Sequence, residues 1–282
     1  IGEPLLPPQR RFSDGSAVGW LERWHALRDV IESERVTLGA AIHSVRAVTP
    51  TAMAEIRRAL GDGIPLHIHV SEQPKENADC MAAYGETPVG VLAGLGMLDS
   101  RLSIVHATHL TPADRGLVSA SGCTVVMCPT TEADLGDGIG PAFELASSGA
   151  RIAIGSDQNA VIDPLLELRG LEAGERLSSG RRGRFSPADL LTAGSSAGYA
   201  SLGISHSVLA PGDPCDLVEL DPSSLRTIGS AVSQLIFSAT ASDVRRVIVG
   251  GDIVADSGRL CTPTAPRPED LLDESRAALA GA

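Results

Sequence analysis

The 282-residue chain carries 23 Lys and Arg against 35 Asp and Glu, a formal net charge of −12, with 43% apolar and 21% charged residues. This is the composition of a soluble globular protein, and its negative balance argues against general affinity for nucleic acid or an anionic membrane. No apolar run is long enough to span a bilayer, and IGEPLLPPQRR at the start lacks the pattern of a secretory signal. The five Cys form no C-x-x-C pair and read as reduced thiols of a cytoplasmic protein. The first fifteen residues, rich in Pro and Gly, are expected to be extended. Trp20, Leu21, Trp24, Leu27 and Ile31 recur at helical spacing and predict a helix over 16–34. Apolar runs at 36–43, 64–70, 102–107, 123–128 and 151–156 then predict strands, too apolar for a half-exposed antiparallel sheet and suited to buried parallel pairing.

Thr49-Pro50, Thr111-Pro112 and Ser186-Pro187 each place a capping hydroxyl ahead of a proline at the first helical position. Strand followed by helix means a parallel α/β sheet, and the strand starts recur about every 29 residues, the spacing of an eight-fold β/α barrel. Five such units cannot close a barrel, so either the sheet is open or three units are missing. RLSSGRRGR (176–184) reads as a solvated basic loop. Beyond residue 205 the pattern changes. Runs at 216–220, 235–239 and 245–258 read as short strands of a small β domain, residues 206–282, that ends in a helix over 268–280.

The chemistry sits where strands end. In HIHVSEQP (67–74), His67 and His69 project from one face of a strand, with His69 nearer the C-terminal end where barrel active sites lie. Glu72 follows just past that end. His106 in IVHATH ends the next strand, Asp157 in AIGSD ends the fifth, and His43 ends the first with Arg46 just beyond. Structural residues do not place titratable groups so consistently on one rim. Imidazole and carboxylate together suit Zn²⁺ or a similar divalent metal and a water held for hydrolysis. Other polar residues keep plainer roles. His109 reads as structural, His25 and His206 as surface or packing residues, and Cys128 lacks a base partner. Glu132 and Asp137, in PTTEADLGDG, fall in the loop expected after the fourth strand, where they either line the site or serve as loop-stabilising caps and turns.

HxHxxEQ, VHATH, PTTEADLGDG and GSD together resemble the amidohydrolase superfamily. Within it, QRRF (9–12), IHSVRAVTP (42–50), HIHVSEQP and CPTTEADLGDG (128–138) resemble the formimidoylglutamate deiminases, from about residue 5 to about residue 260. The resemblance implies hydrolysis of N-formimino-L-glutamate to N-formyl-L-glutamate and ammonia, a step of histidine degradation. It implies an α/β fold, the last five β/α units of a TIM-type (β/α)8 barrel in residues 1–205, with part of a small β-sandwich domain in 206–282. It implies one divalent metal, Zn with Fe or Mn as alternatives, held by His69 and Asp157. Asp157 also takes a proton from water, Glu72 shuttles protons to the departing nitrogen, and His106 orients or polarises the attacked carbon. His43 and Arg46 match positions that hold the glutamate part of a carboxylate-bearing substrate.

Members of that family also carry a His-x-His pair on the first barrel strand, which this chain lacks. The expected missing part is on the order of a hundred residues or more. With two ligands against the usual three, weak metal binding by this chain alone is expected. GSD is followed by Gln158-Asn159, where the family often has a His in the second position, and no role is carried onto Asn159. A homodimer is expected. The alternatives are another amidohydrolase deaminase acting on a purine or pterin ring, or an inactive fragment. Arg46 favours a substrate with carboxylates over a neutral ring.

Overall fold

The computed structural model describes residues 1, 4–31, 36–204, 209–261 and 268–280. His206 and the junction at 205/206 lie outside the described residues. The chain divides into two compact units, Ile1–Ser207 and Val208–Ala282. The first unit is built on five parallel strands in sequential order, β1 (Ala40–Ile42), β2 (Leu66–Val70), β3 (Leu102–His106), β4 (Thr124–Met127) and β5 (Arg151–Ile154). Their register aligns Ala41, His67, Ser103, Thr124 and Arg151 across the sheet, and one pleat repeat further on His69, Val105, Val126 and Ala153. The opposite face is made by Leu66, Ile68, Val70, Leu102, Ile104 and Val125, all buried. Each such side chain contributes roughly 1.5–3 kcal/mol by leaving water. Burial along β2 therefore alternates, and it leaves His67 and His69 half-buried on the other face.

Strand-to-helix links are short because the next helix starts on a proline whose missing amide would have had no helical partner. Pro50, Pro74, Pro112, Pro129 and Pro164 each begin the helix that follows β1 to β5 in turn. Thr49 and Thr111 accept the exposed amides of Ala52 and Asp114, as their sequence positions lead one to expect. The five β/α links thus fall at one end of the sheet, where loop residues can converge.

Several sequence expectations need correcting. The first strand is three residues, not 36–43, and among the described strands it pairs with β2. The helix expected over 16–34 spans Ala17–Val30. Pro7–Phe12 is a short 3₁₀ helix, not extended chain, with Leu6 as a cap ahead of two prolines that preset φ. PTTEADL, expected as loop, is helical over Pro129–Leu135. In the second unit, β6 (Leu217–Leu220), β7 (Val244–Val249), β8 (Asp252–Asp256) and β9 (Arg259–Leu260) form an antiparallel sheet in that order. LIFSA is helical over Leu235–Ser238, so the run read as a strand was a buried helical turn, with Ile236 inside. A terminal helix spans Pro268–Ala280. No helix among the described residues is long and apolar enough to cross a membrane.

The helix Pro129–Leu135 is anchored from below by Glu167, whose two oxygens accept from the amide and hydroxyl of Thr130. Burial pushes the Glu167 carboxyl up, the two Thr130 bonds oppose that, and the charges of Glu132 and Asp163 add to it. A carboxyl raised on folding favours the folded state below its unfolded value, about 4.3, and that contribution is lost as pH rises through the folded value. Urea unfolding between pH 4 and 8 should therefore show wild type losing stability relative to Glu167→Gln as pH rises. Parallel stability curves would contradict this.

Candidate active site

His69, His106 and Asp157 converge at the C-terminal end of the sheet, each offering one ligand atom within 4.8 Å of the others. The rings of His69 and His106 stack at 5.6 Å with 18° between planes. His106 Nε2 lies 3.9 Å from Asp157 Oδ2 and 3.9 Å from Glu72 Oε1. Strict pleat alternation does not produce this group. His106 is aligned with Val70, on the face opposite His69. It reaches the site because its backbone is left-handed, φ 70°, at the last residue of β3. Ser71, Ala107, Asp157 and Asn159 share positive φ at the same rim, with φ from 51° to 55°. Such conformations cost a non-glycine residue about 1–3 kcal/mol each and concentrate where a side chain must be aimed. Here they aim Glu72, His106 and Asp157 at one point.

The imidazoles are oriented by what their other nitrogens touch. His69 Nδ1 lies 2.7 Å from the carbonyl of His43, and the His69 amide donates to the same oxygen. An Nδ1–H held there leaves the Nε2 lone pair for the centre. His106 is wholly buried, and its Nε2 has no hydrogen-bond partner among the described residues. An unsatisfied buried nitrogen beside a second imidazole and a carboxylate is the donor set of a transition-metal site. Charge points the same way. The carboxylates of Glu72 and Asp157 each lie 3.9 Å from His106 Nε2 and that of Glu132 faces its Nδ1, while the guanidinium of Arg46 pairs with Glu72. A divalent cation fits the residues present.

His106 titrates against opposing influences. Burial lowers its proton affinity, but the bond to Glu132 and the charges of Glu72, Glu132 and Asp157 outweigh that and raise its pKa. The neighbouring His43 is lowered, first by burial and then by the charges of His69 and Arg46. His43 Nδ1 is 2.8 Å from Ser44 Oγ, and its ring meets His69 edge-on at 5.2 Å.

Arg46 stands at the same rim, with its Nη2 donating to Glu72 Oε2 and its Nε 3.8 Å from Glu76 Oε2. The sequence placed Arg46 and Glu72 in separate roles and gave no sign that they would pair. Glu76 was not foreseen. Its side chain is fully buried, its Oε2 accepts the Glu72 amide at 3.0 Å, and its Oε1 has no hydrogen-bond partner among the described residues. The only signal was its position four residues after Glu72, which on an opening helix brings a carboxylate back to the strand end. Glu132 was left between lining the site and capping a loop. It does both, accepting the Cys128 amide at 2.9 Å and facing His106 Nδ1 at 3.4 Å.

His67 Nε2 is 2.7 Å from the Ser201 carbonyl, and His109 Nε2 is 2.7 Å from that of Asp137. Cys128 is buried, with its thiol pushed up chiefly by burial and then by the charges of Glu132 and Asp157, which suits no nucleophile. Gln158 Nε2 donates to Asp134, and Asn159 Oδ1 accepts from Ser156 Oγ, so both residues after Asp157 brace its loop.

The model of the amidohydrolase family matches residues 6–254. The formimidoylglutamate deiminase of Pseudomonas aeruginosa is 38% identical over 92% of this chain, which spans 59% of that protein. A 5-methylthioadenosine/S-adenosylhomocysteine deaminase of Nitratidesulfovibrio vulgaris is 29% identical over 86% of the chain and 56% of its own length. Among solved structures, an adenosine deaminase from Xanthomonas campestris with bound zinc superposes with a TM-score of 0.84 at 27% identity, covering 92% of this chain and 61% of that one. The chain thus spans about three fifths of the length of these three proteins.

Proposed function

This chain belongs to the amidohydrolase family, and from that premise we propose that it serves the metal-assisted hydrolysis of N-formimino-L-glutamate to N-formyl-L-glutamate and ammonia. The observation that carries the reading is the convergence of His69, His106 and Asp157 with Glu72 and Arg46 at one strand-end rim. The 38% identity to a formimidoylglutamate deiminase supports the choice of substrate over the purine nucleosides named for the more distant relatives. Histidine degradation in the cytoplasm, by a homodimer, is the setting this reading brings with it.

His69 and Asp157 are the residues that would hold the metal, zinc in the first instance with iron or manganese as alternatives, and His106 Nε2 lies within reach of both. A bound divalent cation supplies Lewis acidity that lowers the proton affinity of a water at the centre. Asp157 accepts a proton from the attacking water as its oxygen adds to the formimino carbon. His106, stacked on His69, fixes where that carbon sits. Glu72, reached by its Oε1 on the His106 side, passes protons to the nitrogen. The C–N bond then breaks, ammonia leaves, and the added oxygen becomes the formyl carbonyl. A formimino carbon is a weak electrophile and NH₂⁻ an impossible leaving group, so both an activated water and an acid are required.

Substrate selection falls to Arg46 and His43. A guanidinium pairs bidentately with a carboxylate, whereas a purine nucleoside offers it no charge. The discriminating assay is ammonia release by the protein expressed from its complete reading frame, with N-formimino-L-glutamate and with 5′-methylthioadenosine. Turnover of the first alone is expected. Turnover of the nucleoside alone would replace this reading by the purine one.

A further inference from the structure

Helix Pro129–Leu135 enters the site from the end of β4 and presents three side chains to two different strand ends. Glu132 is 5% exposed and has its Oε1 2.9 Å from the Cys128 amide and 3.4 Å from His106 Nδ1. Thr131 Oγ1 donates to the Ser156 carbonyl and accepts the Gln158 amide, and Asp134 accepts from the Gln158 side chain. The same short helix therefore braces the loop that carries Asp157 and touches the ring of His106. No role in the reaction has been given to it so far.

We propose that Glu132 is a positioning residue that holds His106 as its Nδ1–H tautomer, so that the Nε2 lone pair faces His69 and Asp157. An ionised carboxylate only accepts, so a ring nitrogen beside it must carry the hydrogen in the neutral imidazole. Oε1 is fixed there by the Cys128 amide, which is itself held at the turn from β4 into the helix. The left-handed backbone of His106 aims the ring, and Glu132 chooses which nitrogen is bare. The consequence is a specific role: His106 meets the centre as an acceptor or ligand, not as a hydrogen donor to the substrate. This matches the orphaned state of Nε2 in the structure. Carboxylate or carbonyl partners of this kind orient metal-facing imidazoles generally, and their loss weakens metal affinity.

The inference rests on the metal reading only for its consequence, since the tautomer is a property of the metal-free protein. Histidine-selective ¹⁵N labelling, with His106 assigned by loss of its signals in His106→Gln, reads the ring directly. The spectra are recorded at alkaline pH, where the ring is neutral. Wild type is expected in the Nδ1–H form. Glu132→Ala should give a mixed or Nε2–H ring and bind zinc about 10- to 100-fold more weakly. Glu132→Gln keeps an oxygen for both the Cys128 amide and Nδ1, so it should retain the wild-type tautomer and zinc affinity within a few-fold.

An Nε2–H ring in wild type overturns the proposal, whether or not the Ala variant folds. So does a Gln variant as impaired as Ala, or an Ala variant whose tautomer and zinc affinity are unchanged. Wild type, expressed from its complete reading frame, that is in the Nδ1–H form but takes up no zinc would sink the metal reading and leave the Glu132 assignment standing.

Discussion

Replacing Glu72 by Gln should lower turnover of N-formimino-L-glutamate about 10²- to 10⁴-fold, the usual contribution of a positioned acid–base group, while metal content stays near that of wild type. Glu72 lies within 3.9 Å of His106 Nε2, but it is not among the three residues whose ligand atoms converge. Its other oxygen is bonded to Arg46, and its amide is held by Glu76, so the carboxylate is fixed at both ends of its residue. Gln preserves size and can still face Arg46 through its oxygen, which confines the change to the lost proton site. Steady-state ammonia release beside an elemental assay decides the matter. An unchanged rate would show that another group moves the proton, and lost metal would show that Glu72 is a ligand.

Replacing Arg46 by Met should cost roughly 2–5 kcal/mol in kcat/KM for the same substrate, the penalty for removing a charged partner from a desolvated site. That corresponds to about 30-fold up to several thousand-fold. If Arg46 met the substrate carboxylate alone, this loss would largely vanish for a formamidine without carboxylates. The geometry modifies that outcome. Arg46 is also the cation facing Glu72 and the buried Glu76, whose carboxyl is raised by burial and lowered by Arg46. Its removal leaves both acids without a counter-charge, so the carboxylate-free substrate should suffer as well, though by less. The difference between the two losses measures the substrate carboxylate. Equal losses would assign Arg46 wholly to holding Glu72 and Glu76.

The sequence made much of this site legible, for identifiable reasons. Strands β2 to β5 are short, apolar and β-branched, and the Thr-Pro helix starts punctuate them, so the parallel order and the rim could be read directly. His69, His106 and Asp157 were found because they fall at equivalent strand ends. What was not legible depends on single dihedral angles and on distant partners. Alternation alone would have turned His106 to the face of Ile104; only its left-handed φ brings it across. Glu76 and Glu132 act through helices that the apolar pattern left as loop or did not connect with the site. The strand expected at 235–239 failed because three apolar residues in a row have no period to distinguish a helical turn from a strand.

Anomalous scattering from crystals of the zinc-loaded protein locates the metal without reference to activity. The expected peak lies about 2.0–2.2 Å from an imidazole nitrogen of His69 and a carboxylate oxygen of Asp157, with His106 Nε2 turned towards it. A loaded crystal with no peak at these residues, or with the metal bound elsewhere on the chain, would contradict the metal-assisted hydrolase built on them.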